Sequence, residues 1–431
     1  MNKPNFDTLG RFPICIVGIC ASSFVIMKVA RDTLFFQGEG IYQLPLGYIW
    51  IAIASIPFAW IHLLAMRYFG AQKTRTGIIL LFAVVFLALI PFLEHESKFS
   101  VMFLFVAVPT VFSAIFAAIW LQIGELFTGA DRKLLHKMYS RIGASSMIGG
   151  IIGGAVAREL SNFLKPEYLI AFAAVLLLFA GLLVSFVNRR YLKTISKGSD
   201  IKLISDTRIS LSLMSSTSRS TKFYKKPYVI AMAGISTLLA FVALLIDFQF
   251  YAIVTISGNI DLKFFANFYI FLNATSLFLQ LVVTPRLQHK FGIGGTLYIL
   301  PFLLLCASLS LFLWNNIIMR SILRITEGSI KSSIHRSTWE QTYLPLPDYD
   351  RWGMKILIEG VAVRVAEGFC ALILLFWISS LSNPISELSL EWITWMIISG
   401  IILWLMSTRY LQVVGCGDIK PGEIAIRLPE C

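Results

Sequence analysis

The chain alternates long apolar runs with short polar connections along nearly its whole length. An α-helix that crosses the hydrocarbon core of a bilayer needs about 20 mostly apolar residues, and these runs reach that length. The pattern therefore predicts an all-α polytopic membrane protein with twelve transmembrane helices. The predicted helices cover residues 12–32, 44–66, 76–93, 99–126, 143–163, 168–188, 228–255, 265–284, 292–314, 317–336, 353–380 and 388–407.

Composition supports this reading and disfavours several classes of function. Of the 431 residues, 57% are hydrophobic and 14% are charged, and the mean hydropathy is +0.76. A soluble domain is about half apolar and about a quarter charged, so a soluble enzyme or a free nucleic-acid-binding protein is disfavoured. The histidines and cysteines show no metal-ligand or catalytic spacing. We therefore predict no enzymatic activity, no metal and no cofactor.

The net charge of +13 is distributed unevenly among the connections between the predicted helices. Connections 33–43 and 256–264 carry acidic residues, whereas connection 67–75 and above all connection 189–227 are rich in Lys and Arg. Basic connections stay in the cytoplasm, so both termini are predicted to be cytoplasmic, in a cytoplasmic (inner) membrane. Binding of a polyanion by residues 189–227 is the alternative explanation of that charge.

The two halves of the chain share a short pattern. Phe69-Gly70 closes the second predicted helix beside basic residues, and Phe291-Gly292 follows the eighth in the same way. Six plus six helices joined by a long basic loop is the layout of major facilitator transporters, in which two halves surround a substrate site near the membrane midplane. A monomer suffices for this layout. The predicted parts are an N-terminal half 1–188, a linker 189–227, a C-terminal half 228–408 and a tail 409–431.

Ionisable residues occur inside the first predicted helix. Each such residue is expensive in a membrane and is a functional hypothesis by default. Lys28 and Asp32 are four residues apart and share a helix face, and Arg31 lies next to Asp32. Two interpretations remain open. The residues are either a snorkelling cation with an interfacial ion pair, or a contact for an anion in a cavity.

The tenth predicted helix carries a charged stripe, since residues at spacings of 4, 3, 4 and 4 fall on one helix face. The residues of this stripe are Arg320, Arg324, Glu327, Lys331 and His335. A lipid-facing stripe of this kind would be prohibitively expensive, so it must face protein or water. The excess of cations favours a cavity for an anionic substrate. A salt-bridge ladder with Glu359 and Glu367 of the eleventh helix is the alternative.

Two further features lie within predicted helices. Asp247, a lone acid in the seventh helix, is a counter-ion for one of the cations, a proton-coupling site, or both. The fifth helix contains Gly149-Gly150 and Gly153-Gly154, a spacing that lets another helix backbone approach closely. A phosphate-binding glycine loop would need a preceding strand and a Gly-Lys-Ser/Thr sequence, so close helix packing is predicted here.

Several segments between residues 25 and 380 share a pattern with one transporter family. Arg31-Asp-Thr-Leu34 is similar to the family's Lys-Asp-Thr-Leu signature and keeps its positive charge. Further similar segments are residues 120–128, 142–150, 247–250, 327–329 and 343–347. On these residues the chain resembles the ATP/ADP translocase-like nucleotide transporters of plastids and intracellular bacteria, which belong to the major facilitator superfamily.

This resemblance implies a secondary transporter of nucleotides or a related phosphorylated anion, typically an exchanger. The family's acid in helix four corresponds to Val108, and its lysine in helix eleven to Glu367. Either the cations of the tenth helix compensate for these changes or the substrate differs. The residues expected to contact the anion are Lys28, Arg31, Arg320, Arg324 and Lys331. The expected counter-ions or coupling residues are Asp32, Asp247, Glu327, Glu359 and Glu367.

Two other hypotheses from different classes remain. The first is a facilitator-type transporter of another solute, coupled to protons through Asp247 or Glu367. The second is a non-transporting membrane protein, such as a sensor, built on the same fold. The proton-coupled transporter predicts that replacing Asp247 or Glu367 abolishes uptake driven by a pH difference. The non-transporting protein predicts that neutralising Arg324 leaves every solute flux unchanged.

Overall fold

The computed structural model describes residues 11–95, 97–126, 132–189, 227–343, 354–380, 385 and 389–418. Every regular element within these residues is a helix, which confirms the predicted all-α class. Most of the predicted linker, residues 190–226, lies outside the described residues, as does residue range 419–431 of the predicted tail.

Within the described residues, twelve helices follow the twelve predicted runs, and we number them in chain order. In the first half of the chain, α1 is Arg11–Gly38, α2 is Leu44–Phe69, α3 is Ala71–Glu94, α4 is Lys98–Leu126, α5 is Arg132–Leu160 and α6 is Pro166–Val187. In the second half, α7 is Pro227–Ile256, α8 is Leu262–Phe278 continued by Leu279–Val283 and Thr284–Leu297, and α9 is Ile299–Ser310. Helix α10 is Ile317–Ile330 continued by Lys331–His335 and Arg336–Thr342. Helix α11 is Ile356–Ala362 continued by Val363–Ser380, and α12 is Ser389–Asp418.

Nine of these helices, within the described part of the chain, are long and apolar enough to cross a membrane. The other three are α5, α9 and α10. Glycine, serine and basic residues dilute α5, α9 has only 12 residues, and charged residues interrupt α10. Composition therefore separates α5 and α10 from the other helices, and short length separates α9.

The repeated Phe-Gly pattern has a structural counterpart. Gly70 has φ +83° between α2 and α3, and Gly292 has φ +64° where the last part of α8 is kinked. A positive φ of this kind favours glycine because a side chain at Cβ would be strained. Gly70 thus separates α2 from α3, and Gly292 marks a kink inside the last part of α8. The predicted end of the eighth helix at residue 284 was too early, because the helix continues to this kink.

Within the described residues, π-helical segments lie at Leu279–Val283 in α8, at Lys331–His335 in α10 and at Ile356–Ala362 in α11. A π turn has i→i+5 hydrogen bonds and so holds one residue more than an α turn. Residues after such a segment therefore lie on a different helix face from the one that a spacing of 3.6 residues per turn predicts.

Contacts within the chain group its residues into two compact units. The first unit comprises Met1–Gly40, Pro57–Ser210 and Ile260–Ala274. The second comprises Ile41–Ile56, Leu211–Asn259 and Thr275–Cys431. The first parts of α2 and α8 are thus each grouped with the other half of the chain.

The core of the first unit forms where α1 packs against α4, α5 and α6. The Ser22 hydroxyl of α1 donates to the carbonyl oxygen of Gly149 in α5 at 2.8 Å. A Cβ atom at Gly153 would lie 2.5 Å from the Ser22 carbonyl oxygen. The glycines of α5 therefore allow the backbone contact with α1 that their spacing predicted.

In the second unit, α7 packs against α10, α11 and α12. Gln249 of α7 is buried, and its amide donates to the Thr394 hydroxyl of α12 at 2.6 Å and to the Leu390 carbonyl oxygen at 3.1 Å. These bonds hold α7 and α12 in a fixed rotation about their axes, two residues away from Asp247.

Candidate functional site

A charged group in the first unit, the α1 cluster, consists of Lys28, Arg31, Asp32, Phe105 and Tyr269. Asp32 is fully buried. Its Oδ1 atom accepts a hydrogen bond from the Arg31 Nε atom at 2.8 Å, and its Oδ2 atom accepts one from the Tyr269 hydroxyl at 2.5 Å. Such charge-assisted hydrogen bonds are the stronger kind, so Asp32 joins α1 firmly to the first part of α8.

Aromatic rings accompany both cations of the α1 cluster. The Lys28 ammonium lies 4.6 Å from the centroid of the Tyr269 ring, and the Arg31 guanidinium lies 4.6 Å from that of Phe105. Both distances are within the range of attraction between a cation and a ring face. Our prediction placed Lys28 and Asp32 on one face; the structure adds Tyr269 as a residue that contacts both.

The second unit contains another charged group, the α10 cluster, formed by Tyr48, Asp247, Arg324, Glu327 and Lys331. The Arg324 Nε atom lies 2.5 Å from Asp247 Oδ1, and its Nη1 atom pairs with Glu327. The Lys331 ammonium lies 3.2 Å from Glu327 Oε1, and the Tyr48 hydroxyl donates to Asp247 Oδ2 at 2.9 Å. One guanidinium therefore joins the acid of α7 to the acid of α10.

Burial is graded along the α10 cluster. The Glu327 side chain is 1% exposed, that of Arg324 is 13% exposed and that of Lys331 is 44% exposed. Two cations meet two carboxylates, so the cluster is balanced in charge when all four groups are ionised. Lys331 is its most accessible charge and the one best placed to meet a solute.

The remaining predicted site residues lie apart from these contacts. Arg320 is buried near the start of α10, where it donates to the Asn315 side-chain oxygen. Glu359 accepts a hydrogen bond from the Trp339 indole nitrogen at 3.2 Å, and Glu367 pairs with Arg364 at 2.7 Å. The acids that pair with Arg324 and Lys331 are therefore Asp247 and Glu327.

His335, the last residue of the predicted stripe, has a different environment from Lys331. It is buried, and its ring stacks on Trp339 and meets Trp404 edge to face. The π segment Lys331–His335 explains the difference, because its extra residue rotates His335 away from the direction that α-helical spacing predicts.

Sequence reasoning missed Tyr48 and Tyr269. Each lies in an apolar run without any spacing that relates it to its acid, since Tyr48 is 199 residues from Asp247 and Tyr269 is 237 residues from Asp32. The only signal was a tyrosine inside a predicted span, where a buried hydroxyl needs a hydrogen-bond partner. Among the residues that the structure describes, no group of three His, Cys, Asp or Glu side chains could hold a metal ion.

Comparison with known proteins finds similarity in structure rather than in sequence. No protein-family profile matches the sequence. No curated protein sequence matches it.

Several solved structures, by contrast, match nearly the whole chain. The POT family transporter PepTSo superposes with a TM-score of 0.64 at 12% identity, over 93% of this chain and 98% of that one. The nucleoside transporter NupG gives a TM-score of 0.62 at 11% identity, over 97% and 100% of the two chains. A bacterial homolog of the human lysosomal transporter Spinster gives 0.59 at 10% identity, over 96% and 98%.

Similarity at such low identity shows the fold. All of these neighbours are described as transporters or as homologs of one, and they match this chain almost from end to end. Their coverage agrees with the twelve helices described above and with the apolar lengths of nine of them. The chain is therefore an all-α, multi-pass membrane protein with a twelve-helix, major facilitator-like architecture.

Proposed function

We propose that this protein is a secondary transporter of a small anionic solute, with nucleotides or related phosphorylated compounds as the substrate class. One observation carries the proposal. The predicted site residues of α1, α7 and α10 comprise five cations and three carboxylates. The cations are Lys28, Arg31, Arg320, Arg324 and Lys331, and the carboxylates are Asp32, Asp247 and Glu327.

An excess of positive charge within spanning helices needs a physical explanation. Each charged side chain at the centre of a membrane helix costs about 2.5–3.5 kcal/mol on insertion scales. The three carboxylates offset part of this cost through the contacts described above. An anionic solute would enter beside Lys331 or Lys28, the cations with more exposed side chains, and add its negative charge to the site.

The nucleotide assignment rests on further support. Arg31-Asp-Thr-Leu34 resembles the signature of ATP/ADP translocase-like transporters, and the structural neighbour NupG is a nucleoside transporter. Val108, which stands at the position of that family's acid, is fully buried. A phosphorylated substrate would depend on cations, either those of the α1 cluster or those of the α10 cluster, and exchange of one nucleotide for another is the mode of transport that we propose.

The charge distribution supplies the orientation that we propose. The basic connection 189–227 and both termini lie in the cytoplasm, and the protein resides as a monomer in the cytoplasmic membrane. The two predicted halves, 1–188 and 228–408, alternate access to the site without any cofactor.

Uptake into liposomes that carry the purified protein tests the proposal. We would compare radiolabelled ATP and ADP with an uncharged nucleoside, with and without nucleotide preloaded inside. Lys331→Gln removes the accessible cation of the α10 cluster, and Lys263→Gln is a matched control at an exposed position of α8.

We expect saturable nucleotide uptake that preloading accelerates, with a KM at least threefold higher in Lys331→Gln and unchanged in Lys263→Gln. A threefold change corresponds to about 0.6 kcal/mol, a modest loss for a half-exposed charge. Transport of the nucleoside alone, or no uptake of any anion by folded protein, would overturn the anion assignment.

The α10 cluster also supports a second candidate, a proton-coupled transporter of another solute. Arg324 pairs with both Asp247 and Glu327, so protonation of one acid would leave the guanidinium to the other. A proton gradient could then drive a change in these contacts. In this case Asp247→Asn would abolish uptake driven by a pH difference while leaving exchange at equal pH intact.

A further inference from the structure

The repeated Phe-Gly pattern carries exposed cations at both of its positions. In the first unit, Arg67 lies in the last turn of α2 and Lys73 in the first turn of α3, with only Gly70 between the two helices. In the second unit, Arg286 and Lys290 lie in the last part of α8. All four residues are exposed, and the proposed transport site uses none of them.

Two short names are useful for these surfaces. We call Arg67, Tyr68, Phe69 and Lys73 the α2–α3 turn, and Arg286, Lys290 and Phe291 the α8 turn. Residues 40–93 and 262–326, which contain the two turns, have no Asp or Glu. Within the part of the chain that the structure describes, none of the four cations lies within ion-pair distance of a carboxylate. Both turns are therefore local concentrations of positive charge.

Exposed aromatic rings directly follow a cation in each turn. Tyr68 and Phe69 come after Arg67 and are 77% and 68% exposed, and Phe291 comes after Lys290 and is 45% exposed. Aromatic side chains are enriched at the boundary between hydrocarbon and lipid headgroups, and Lys and Arg near that boundary attract anionic lipids. Both turns belong to helices that are long and apolar enough to cross a membrane. Their composition therefore fits the level of the headgroups.

We propose that each of the two turns binds the headgroup of an anionic phospholipid. The cations contact the lipid phosphate, and the adjacent rings contact the glycerol and the upper part of the acyl chains. A lipid fits better than a free anion, because the exposed rings are apolar surface that a soluble anion would leave uncovered. The same order of cation, ring and glycine with positive φ occurs in both units. This proposal does not depend on which solute the protein transports.

Titration of phosphatidylglycerol into the delipidated full-length protein in detergent tests the proposal, with bound lipids counted by native mass spectrometry. We expect tight binding of one phosphatidylglycerol at each turn, and weaker binding of phosphatidylcholine with the same acyl chains. Arg67→Gln/Lys73→Gln should weaken one of the two sites about thirtyfold, as for the loss of two cations near a headgroup. Arg286→Gln/Lys290→Gln should weaken the other site to a similar extent.

The matched control is Lys98→Gln/Lys165→Gln, which removes the same charge from exposed positions of the first unit. Glu94 and Glu167 lie four and two residues from these lysines. The control should change the affinity for phosphatidylglycerol by less than about threefold. The charge-retaining variant Arg67→Lys/Lys73→Arg should also bind the lipid normally, which separates loss of charge from loss of folding. An equal loss of affinity in the control and in Arg67→Gln/Lys73→Gln would overturn the proposal.

Two further measurements separate a lipid from a soluble anion. Tyr68→Ala/Phe69→Ala keeps both cations of the α2–α3 turn and should weaken phosphatidylglycerol binding about fivefold, because the rings contribute contact area at the headgroup level. Glycerol 3-phosphate, the soluble part of the headgroup, should not displace the lipid even in large excess. Displacement by this anion without any effect of the ring variant would overturn the lipid assignment. Binding of phosphatidylcholine as tightly as phosphatidylglycerol would overturn the role of the cations.

Discussion

Removing Arg324 is the perturbation whose outcome follows most directly from the structure. Its guanidinium contacts Asp247 and Glu327, and its side chain is only 13% exposed. Arg324→Gln would leave both carboxylates inside the protein without this cation. Removal of one partner from a buried ion pair costs about 3–5 kcal/mol.

The expected loss lies at the lower end of that range, about 3 kcal/mol of unfolding free energy. Glu327 keeps Lys331 at 3.2 Å, and Asp247 keeps the Tyr48 hydroxyl at 2.9 Å and a 21% exposed side chain. The loss of the Arg324 ion pair therefore weighs more on Asp247 than on Glu327. Adding Asp247→Asn should recover about 2 kcal/mol, whereas adding Glu327→Gln should recover less, because it leaves Asp247 charged and removes the partner of Lys331.

Unfolding by SDS in mixed micelles, followed by tryptophan fluorescence, measures these free energies. Arg364→Gln is the matched control, since its pair with Glu367 is 25% exposed on both sides and should contribute less than about 1 kcal/mol. The reasoning is refuted if Arg324→Gln costs no more than this control. It is also refuted if Asp247→Asn and Glu327→Gln rescue equally well.

Three further predictions concern packing, backbone and topology. Gly153→Ala places a methyl group 2.5 Å from the Ser22 carbonyl oxygen and should lower the free energy of unfolding by about 1–3 kcal/mol. Gly143→Ala is the control, because its Cβ position has open space, and it should leave that free energy unchanged. Gly70→Ala should lower the free energy of unfolding by about 1–2 kcal/mol, because an alanine is strained at a φ of +83°. Thermal unfolding in detergent measures the stability of all three glycine variants. Alkaline phosphatase fused after residue 200 should be inactive in a bacterial host, and activity there would contradict the cytoplasmic placement of the linker.

The sequence predicted the helices well because a spanning segment depends mainly on its own composition. Nearly every residue of such a segment must be apolar, so the twelve runs were visible without any tertiary information. The charged stripe of α10 was visible for a similar reason, since its spacing is local. Arg324, Glu327 and Lys331 are joined as that spacing implied.

The partners across helices could not be predicted in the same way. Contacts such as Tyr269 with Asp32 depend on the rotation of each helix about its axis, and each residue turns a helix by about 100°. Hydropathy constrains that rotation weakly when most faces are apolar. The alternative in which Glu359 and Glu367 pair with the α10 stripe illustrates the limit, because Glu359 accepts a hydrogen bond from Trp339 and Glu367 pairs with Arg364.

The π segments of α8, α10 and α11 bear on how this chain should be compared with others. Each π turn contains one residue more than an α-helical turn. It therefore corresponds to a one-residue insertion that leaves the helix continuous. An ungapped alignment across Leu279–Val283, Lys331–His335 or Ile356–Ala362 would shift every later position of that helix by one. Single-residue gaps at these three places are therefore what a correct alignment with α-helical relatives requires.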